Sequence, residues 1–165
     1  MVRSSLSPGA APEVAARDVL IPHAEAMRAL GSDLAAVALA GDLLCLFGDL
    51  GAGKTQLAKG FADGLGVTDI VNSPSFVLMA EYRGRLPLFH IDLYRLADGA
   101  AAISGGLLDE RQAEGVTLIE WADRLGDALP GSRLDVHIDG TGEGPRMVRL
   151  IASDGRHRRY LEAIP

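Results

Sequence analysis

Gly48-Asp49-Leu50-Gly51-Ala52-Gly53-Lys54-Thr55 is the stretch on which the reading of this chain turns. Two glycines flank four residues and are followed by lysine and threonine, the spacing of a loop that cradles phosphate. Glycine lets the backbone curl until successive N–H groups face one anion. A helix that begins at the lysine sets its positive N-terminal end beneath the same anion. The pattern assigns nucleotide contact to Asp49, Leu50, Gly51, Ala52, Gly53, Lys54, Thr55 and Gln56. Within it, Lys54 reaches the β- and γ-phosphates and assists their chemistry, and the Thr55 hydroxyl ligates Mg²⁺. The flanks agree. Leu43 to Phe47 is a short apolar run of the kind buried on both faces of a parallel sheet, and Lys54 to Leu65 reads as a helix closing near Gly66.

Working outward, Met27, Leu30 and Leu34 recur at helical spacing within a segment from His23 to Val37. Residues 1 to about 17 are rich in Ser, Pro, Ala and Gly and are expected to be a flexible tail, leaving 18–165 as a single P-loop ATPase domain. Downstream, Phe76 to Tyr82 and Leu86 to Ile91 flank a turn at Arg83-Gly-Arg and predict a β-hairpin. Val116 to Ile119 predicts a further buried strand, followed by a helix from Ala122 towards Leu129. Leu134 to Ile138 and Met147 to Ile151 predict a closing strand pair, and Arg156 to Ala163 a terminal helix. The expected fold is α/β: a P-loop NTPase-like three-layer sandwich with a mainly parallel central sheet plus antiparallel strands.

The chain has 165 residues and a formal charge of −6, with 22 acids against 16 bases. That balance argues against autonomous nucleic-acid binding, which rests on a basic surface. Lysine occurs only at Lys54 and Lys59. The one cysteine, Cys45, excludes an internal disulfide framework and is expected to be a small buried hydrophobe. No run of about 18 apolar residues predicts a membrane span, and the opening residues do not read as a signal peptide, so a cytoplasmic protein is expected.

Hydrolysis at a P-loop needs an acid near the metal and a group that orients water. In open α/β sheets these lie just beyond the carboxyl ends of strands. Asp92 and Glu120 each directly follow an apolar run. The preferred division puts Asp92 on Mg²⁺ and Glu120 on the attacking water; spacing alone leaves the reverse open, with Glu120 also a metal candidate. Ser73-Pro-Ser75 suits either a γ-phosphate sensor or an ordinary Ser-Pro turn. His90 reads as a structural histidine, and Arg156-His-Arg-Arg159 as a solvated face with a contact to tRNA or an acidic partner as the sharper alternative.

Four blocks in order resemble the TsaE (YjeE) family of bacterial ATPases in tRNA threonylcarbamoyladenosine biosynthesis: Gly48 to Thr55, Val71-Asn-Ser-Pro-Ser-Phe76, His90-Ile-Asp-Leu-Tyr-Arg95 and Ile119-Glu-Trp121. The resemblance runs from about Ala24 to Ile151. It implies ATP and Mg²⁺ as cofactors, slow hydrolysis, TsaD-like and TsaB-like protein partners, and tRNA reached only indirectly. It further implies that Lys54 and Thr55 hold phosphate and metal, that Asp92 is a second metal-side group, that Glu120 is catalytic, and that Trp121 lies near the nucleotide or the partner. The family's usual Ser-Pro-Thr-Phe reads Ser-Pro-Ser-Phe, so Ser75 stands in the threonine position as a nucleotide-sensing hydroxyl. A GTPase would need an Asn-Lys-x-Asp block, which the only asparagine, Asn72, does not begin. A small-molecule P-loop kinase is the alternative, although Ala97 to Gly106 carries no arginine for a lid.

Overall fold

A computed structural model of the chain describes residues 14–74 and 78–165. The central feature is the strand predicted from Leu43 to Phe47, here β2, and it explains both layers. Leu44 and Leu46 point into one core and Leu43 and Cys45 into the other, as period-two alternation requires. Parallel neighbours on both sides, β5 (Val116–Glu120) and β6 (Leu134–Asp139), bury Leu43 to Leu46. Burial pushes the Cys45 thiol pKa up, which leaves it an inert packing group.

Seven strands form one sheet in the order β1-β7-β6-β2-β5-β4-β3. The four central strands, β6, β2, β5 and β4 (Leu88–Asp92), run parallel. Antiparallel strands finish both edges, β3 (Met79–Tyr82) on one side, β7 (Arg146–Ala152) and β1 (Ala15–Ile21) on the other. Helices α1 (Ala24–Ala36) and α2 (Lys54–Gly64) cover one face. The short α3 (Gly99–Ser104) and a 3₁₀ segment at Ala122–Ala128 cover the other over β2, β5 and β4. This is the three-layer, centrally parallel arrangement expected. Among the described residues no helix is long and apolar enough to cross a membrane.

Helix α1 begins where His23 accepts a hydrogen bond from the Ala26 N–H at 3.1 Å, a side-chain cap for an otherwise orphaned donor. Met27, Leu30 and Leu34 face inward and meet Leu57 and Phe61 of α2, each such side chain stabilising the core by about 1.5–3 kcal/mol. The two helices touch backbone to backbone. A Cβ on Gly60 would sit 1.9 Å from the Arg28 carbonyl oxygen, and one on Gly31 2.2 Å from that of Leu57. Small residues therefore set the depth at which α2, and with it the phosphate loop, lies on the sheet.

Three elements differ from the sequence reading. Ala15 to Arg17 are not tail but the start of β1, whose alternating exposure is that of a strand covered on one face; residues 1–13 lie outside the described residues. The predicted helix after Glu120 is 3₁₀ and breaks at Gly126, whose φ of 50° and ψ of −127° no helix holds. The terminal helix, α4, is reduced to Arg159–Glu162. The basic cluster from Arg156 to Arg159 is only partly a solvated face: Arg156 and Arg158 are exposed, yet two of its arginines are anchored. Arg156 donates to the buried Asp42 at 2.9 Å, and Arg159 and the Tyr160 hydroxyl donate to its other oxygen. Burial alone would raise the Asp42 pKa, but those donors and the Leu39 amide outweigh it and hold the carboxyl below its ordinary range.

Replacing Gly60 with alanine is expected to destabilise the fold by about 1–3 kcal/mol through forced separation of α1 and α2. Gly131, where an added Cβ meets nothing within 4 Å, is the control, and its alanine variant should stay within about 0.5 kcal/mol of the parent in urea unfolding.

Candidate functional site

At the end of β2 the chain turns through Gly48–Gly53 into α2. Gly51 and Gly53 have φ of 81° and 116°, values that only glycine adopts without strain, and Gly53 is the cap from which α2 starts. Two clefts flank this loop. The first, about 380 Å³, is lined by Leu50, Gly51, Gly53, Lys54, Thr55, Gln56, Ser73, Asp92, Tyr94, Glu120 and Trp121. The second, about 390 Å³, lies between His23 and Met27 of the α1 end and the Gly142–Arg146 turn, and shares Gly51, Gly53 and Gln56 with the first.

Strand order brings the two acids to the loop. Glu120 ends β5, the strand beside β2, and Asp92 ends β4 in direct register with it. Both point to the α2 side and are only 2% and 3% exposed. Thr55 Oγ1, one residue into α2, donates to Glu120 Oε1 at 3.0 Å. His90 Nε2 lies 2.7 Å from the other oxygen, Oε2. Asp92 accepts from the Ser73 hydroxyl and, at 2.9 Å, from the Tyr94 N–H.

Lys54 donates to the Gly48 carbonyl and, at 2.9 Å, to that of Asp49. Its ammonium also sits 4.1 Å from the centre of the Trp121 ring. Burial lowers the Lys54 pKa, against the upward pull of Glu120, Asp92, Asp123 and Asp49. Trp121 has φ of 59° and ψ of 41°, a left-handed conformation uncommon for a bulky residue. That turn directs its indole from the end of β5 back over the lysine, where the Tyr94 ring meets it at 4.9 Å.

Of the residues expected to touch a nucleotide, Leu50, Gly51, Gly53, Lys54, Thr55, Gln56 and Trp121 share the first cleft with Asp92 and Glu120. Asp49 contributes its carbonyl to Lys54, and Ala52 is buried beneath the loop, lining the second cleft. Ser75 lies outside the described residues. Ser73, from the same Ser-Pro-Ser block, is the described hydroxyl that faces Asp92.

Arg146 had no signal in the sequence, because its role is played against backbone. Its guanidinium donates to the Ala52 carbonyl at 3.0 Å, to Gly51 at 3.3 Å and to Gly142 at 2.7 Å, strapping the outer rim of the loop to the β6–β7 turn.

A divalent cation fits this donor set. Among the described residues no group of three or more His, Cys, Asp and Glu side chains is arranged to hold a metal alone. One hydroxyl beside one carboxylate, with a second carboxylate in register, instead suits a hard ion that completes its shell with water and phosphate oxygens.

The family model described as threonylcarbamoyl adenosine biosynthesis protein TsaE matches residues 21–148. Among curated proteins, the tRNA threonylcarbamoyladenosine biosynthesis protein TsaE of Bacillus subtilis (strain 168) is 43% identical over 141 residues, covering 85% of this chain and 88% of that one. Its counterpart in Streptomyces coelicolor is 39% identical over 142 residues, covering 83% and 95%. The crystal structure of Bacillus subtilis YdiB superposes with a TM-score of 0.76 at 37% identity, over 92% of this chain and 95% of that one.

Arg146→Ala should loosen the phosphate loop without unfolding the sheet. Amide hydrogen exchange is expected to quicken in residues 49–54 and 140–146 and to stay unchanged in β2, β5 and α2; unchanged exchange in the loop would refute the strap.

Proposed function

The chain belongs to the TsaE family, and from that premise we propose that it binds and hydrolyses Mg²⁺·ATP to support tRNA threonylcarbamoyladenosine formation. The observation that carries this reading is the convergence, in one cleft, of Lys54 and Thr55 with two buried carboxylates from neighbouring strand ends. A phosphate-binding loop alone would serve many ligands. Acids set against its first helical turn supply what phosphoryl transfer to water requires.

The chain's own groups divide the work. Loop amides and the α2 N-terminus bind the phosphates, and Lys54 exchanges its Gly48 and Asp49 carbonyls for phosphate oxygens. Thr55 and Glu120 would hold Mg²⁺, which neutralises charge developing between the β- and γ-phosphates. The hydrogen bond between those two side chains favours Glu120 on the metal side, the reverse of the division preferred from spacing. Asp92, paired with Ser73, is then the acid left to orient water. The nucleoside takes the second cleft, whose size suits a base and ribose and which opens on the same loop. Trp121 and Tyr94 form an aromatic wall on the first cleft.

The family resemblance supplies the setting: a cytoplasmic complex with TsaB-like and TsaD-like proteins, through which tRNA is engaged indirectly. The negative charge of the chain fits a protein that leaves tRNA contact to others.

Phosphate release from ATP is expected to be slow for the protein alone and faster with TsaB and TsaD, and Lys54→Ala should abolish tight ATP binding. Phosphorylation of a small-molecule acceptor, indifferent to those partners, would overturn the reading in favour of a kinase. The division between acids is tested by Mg²⁺ titration of turnover. Glu120→Ala is expected to raise the Mg²⁺ requirement about tenfold or more, whereas Asp92→Ala should lower kcat with the requirement near that of the parent. The opposite pattern would restore Asp92 as the metal ligand.

A further inference from the structure

Resting on the hydrolysis reading, we infer that His90 is the positioning residue for the site's acid: its Nε2–H holds one oxygen of Glu120 so that the other meets Thr55. His90 lies on β4 opposite Leu118 of β5, so Glu120 stands two residues further along the neighbouring strand on the same sheet face. The 2.7 Å contact to Oε2 and the 3.0 Å contact from Thr55 to Oε1 grip the carboxylate at both ends, fixing its plane as well as its place. With Nε2 as the donor, Glu120 accepts at both of its oxygens.

His90 is wholly buried and does not line the nucleotide cleft, so it acts through Glu120 and not on substrate. Among the described residues its other nitrogen, Nδ1, is buried without a hydrogen-bond partner. A histidine kept only to fill the core would leave that nitrogen an uncompensated burden, and leucine or phenylalanine would fill the strand position without it. Among the described residues the ring's polar contact is the site acid. Orienting partners of this kind, one step behind a ligating or catalytic group, characteristically change activity more than binding.

The test pairs two substitutions with two kinds of measurement. His90→Leu keeps apolar volume and removes the donor; His90→Gln offers an N–H near the Nε2 position. Turnover with TsaB and TsaD is expected to fall about 10- to 100-fold in His90→Leu and to return to within about fivefold of the parent in His90→Gln. ATP affinity in both should remain within about twofold, since Lys54 and the loop are untouched. In a Glu120→Ala background, His90→Leu should produce no further loss. Independently of turnover, ¹⁵N-histidine NMR of the protein without nucleotide or metal should show the proton on Nε2, with a resonance that moves on Glu120→Gln. Parent-like turnover in His90→Leu, losses that multiply with those of Glu120→Ala, or a ring protonated only on Nδ1 would each overturn the inference. A parent protein that turns over no ATP under any partner condition would instead overturn the hydrolysis reading, and the positioning role with it.

Discussion

Asp92 and Glu120 end neighbouring strands in register, each almost wholly removed from solvent, and buried carboxyl groups so placed need hydrogen-bond donors around them. The local structure is organised around meeting that demand. Thr55 and His90 take the two oxygens of Glu120, while Ser73 and the Tyr94 amide take those of Asp92. Lys54 supplies the compensating positive charge from the other side of the cleft, and the pull of both acids on it partly offsets its own desolvation. These donors come from α2, β4, the loop before β3 and the turn after β4. Assembling them requires the strand order β2-β5-β4, which puts the phosphate loop beside one acid and the second acid one strand further out.

Such a cluster needs a rigid platform, and the platform is built from opposite ends of the sheet. On the site side, Gly31 and Gly60 let α1 and α2 approach until backbones touch, and Arg146 straps the loop rim. At the other end, where β2 begins, Asp42 gathers Arg156, Arg159 and Tyr160. Arg159 also bonds the Val37 carbonyl at 2.8 Å, which ties α4 to the end of α1. Arg17 of β1 completes the tie through the Leu161 and Ile164 carbonyls. A row of arginines that looks like a binding surface is thus a fastening for the C-terminal segment, held against one buried acid.

Elements whose identity rests on local chemistry were legible in the sequence. The apolar run of β2, the glycines of the loop and the helical period of α1 and α2 need no distant information, and the acids at 92 and 120 announced themselves as polar residues directly after buried strands. What could not be read was settled by partners far away in the chain. β1 opens on Ala-Ala-Arg-Asp, of weak strand character, before Val19-Leu20-Ile21, and it pairs along the edge that β7 offers, with Asp18 and Arg149 bridging it at 2.7 Å. The segment after Trp121 has a helical composition, yet Gly126 breaks it. His90 looked structural because strand periodicity reports only that a residue is buried; what its ring nitrogen meets depends on register between β4 and β5.

The same register explains why Trp121 accepts an unfavourable backbone. Glu120 must end β5 pointing towards α2, so the next residue, continuing the strand, would point to the opposite face, into the layer of Ile119 and Leu125. A left-handed turn at Trp121 ends the strand there, at a cost of order 1–3 kcal/mol for a non-glycine residue. There the indole packs against the edge of that layer and also meets the Lys54 ammonium. The lysine is therefore held between carbonyls and an aromatic face, both of which a phosphate must displace or share. On the proposed reading, nucleotide binding and the position of Trp121 are linked through Lys54.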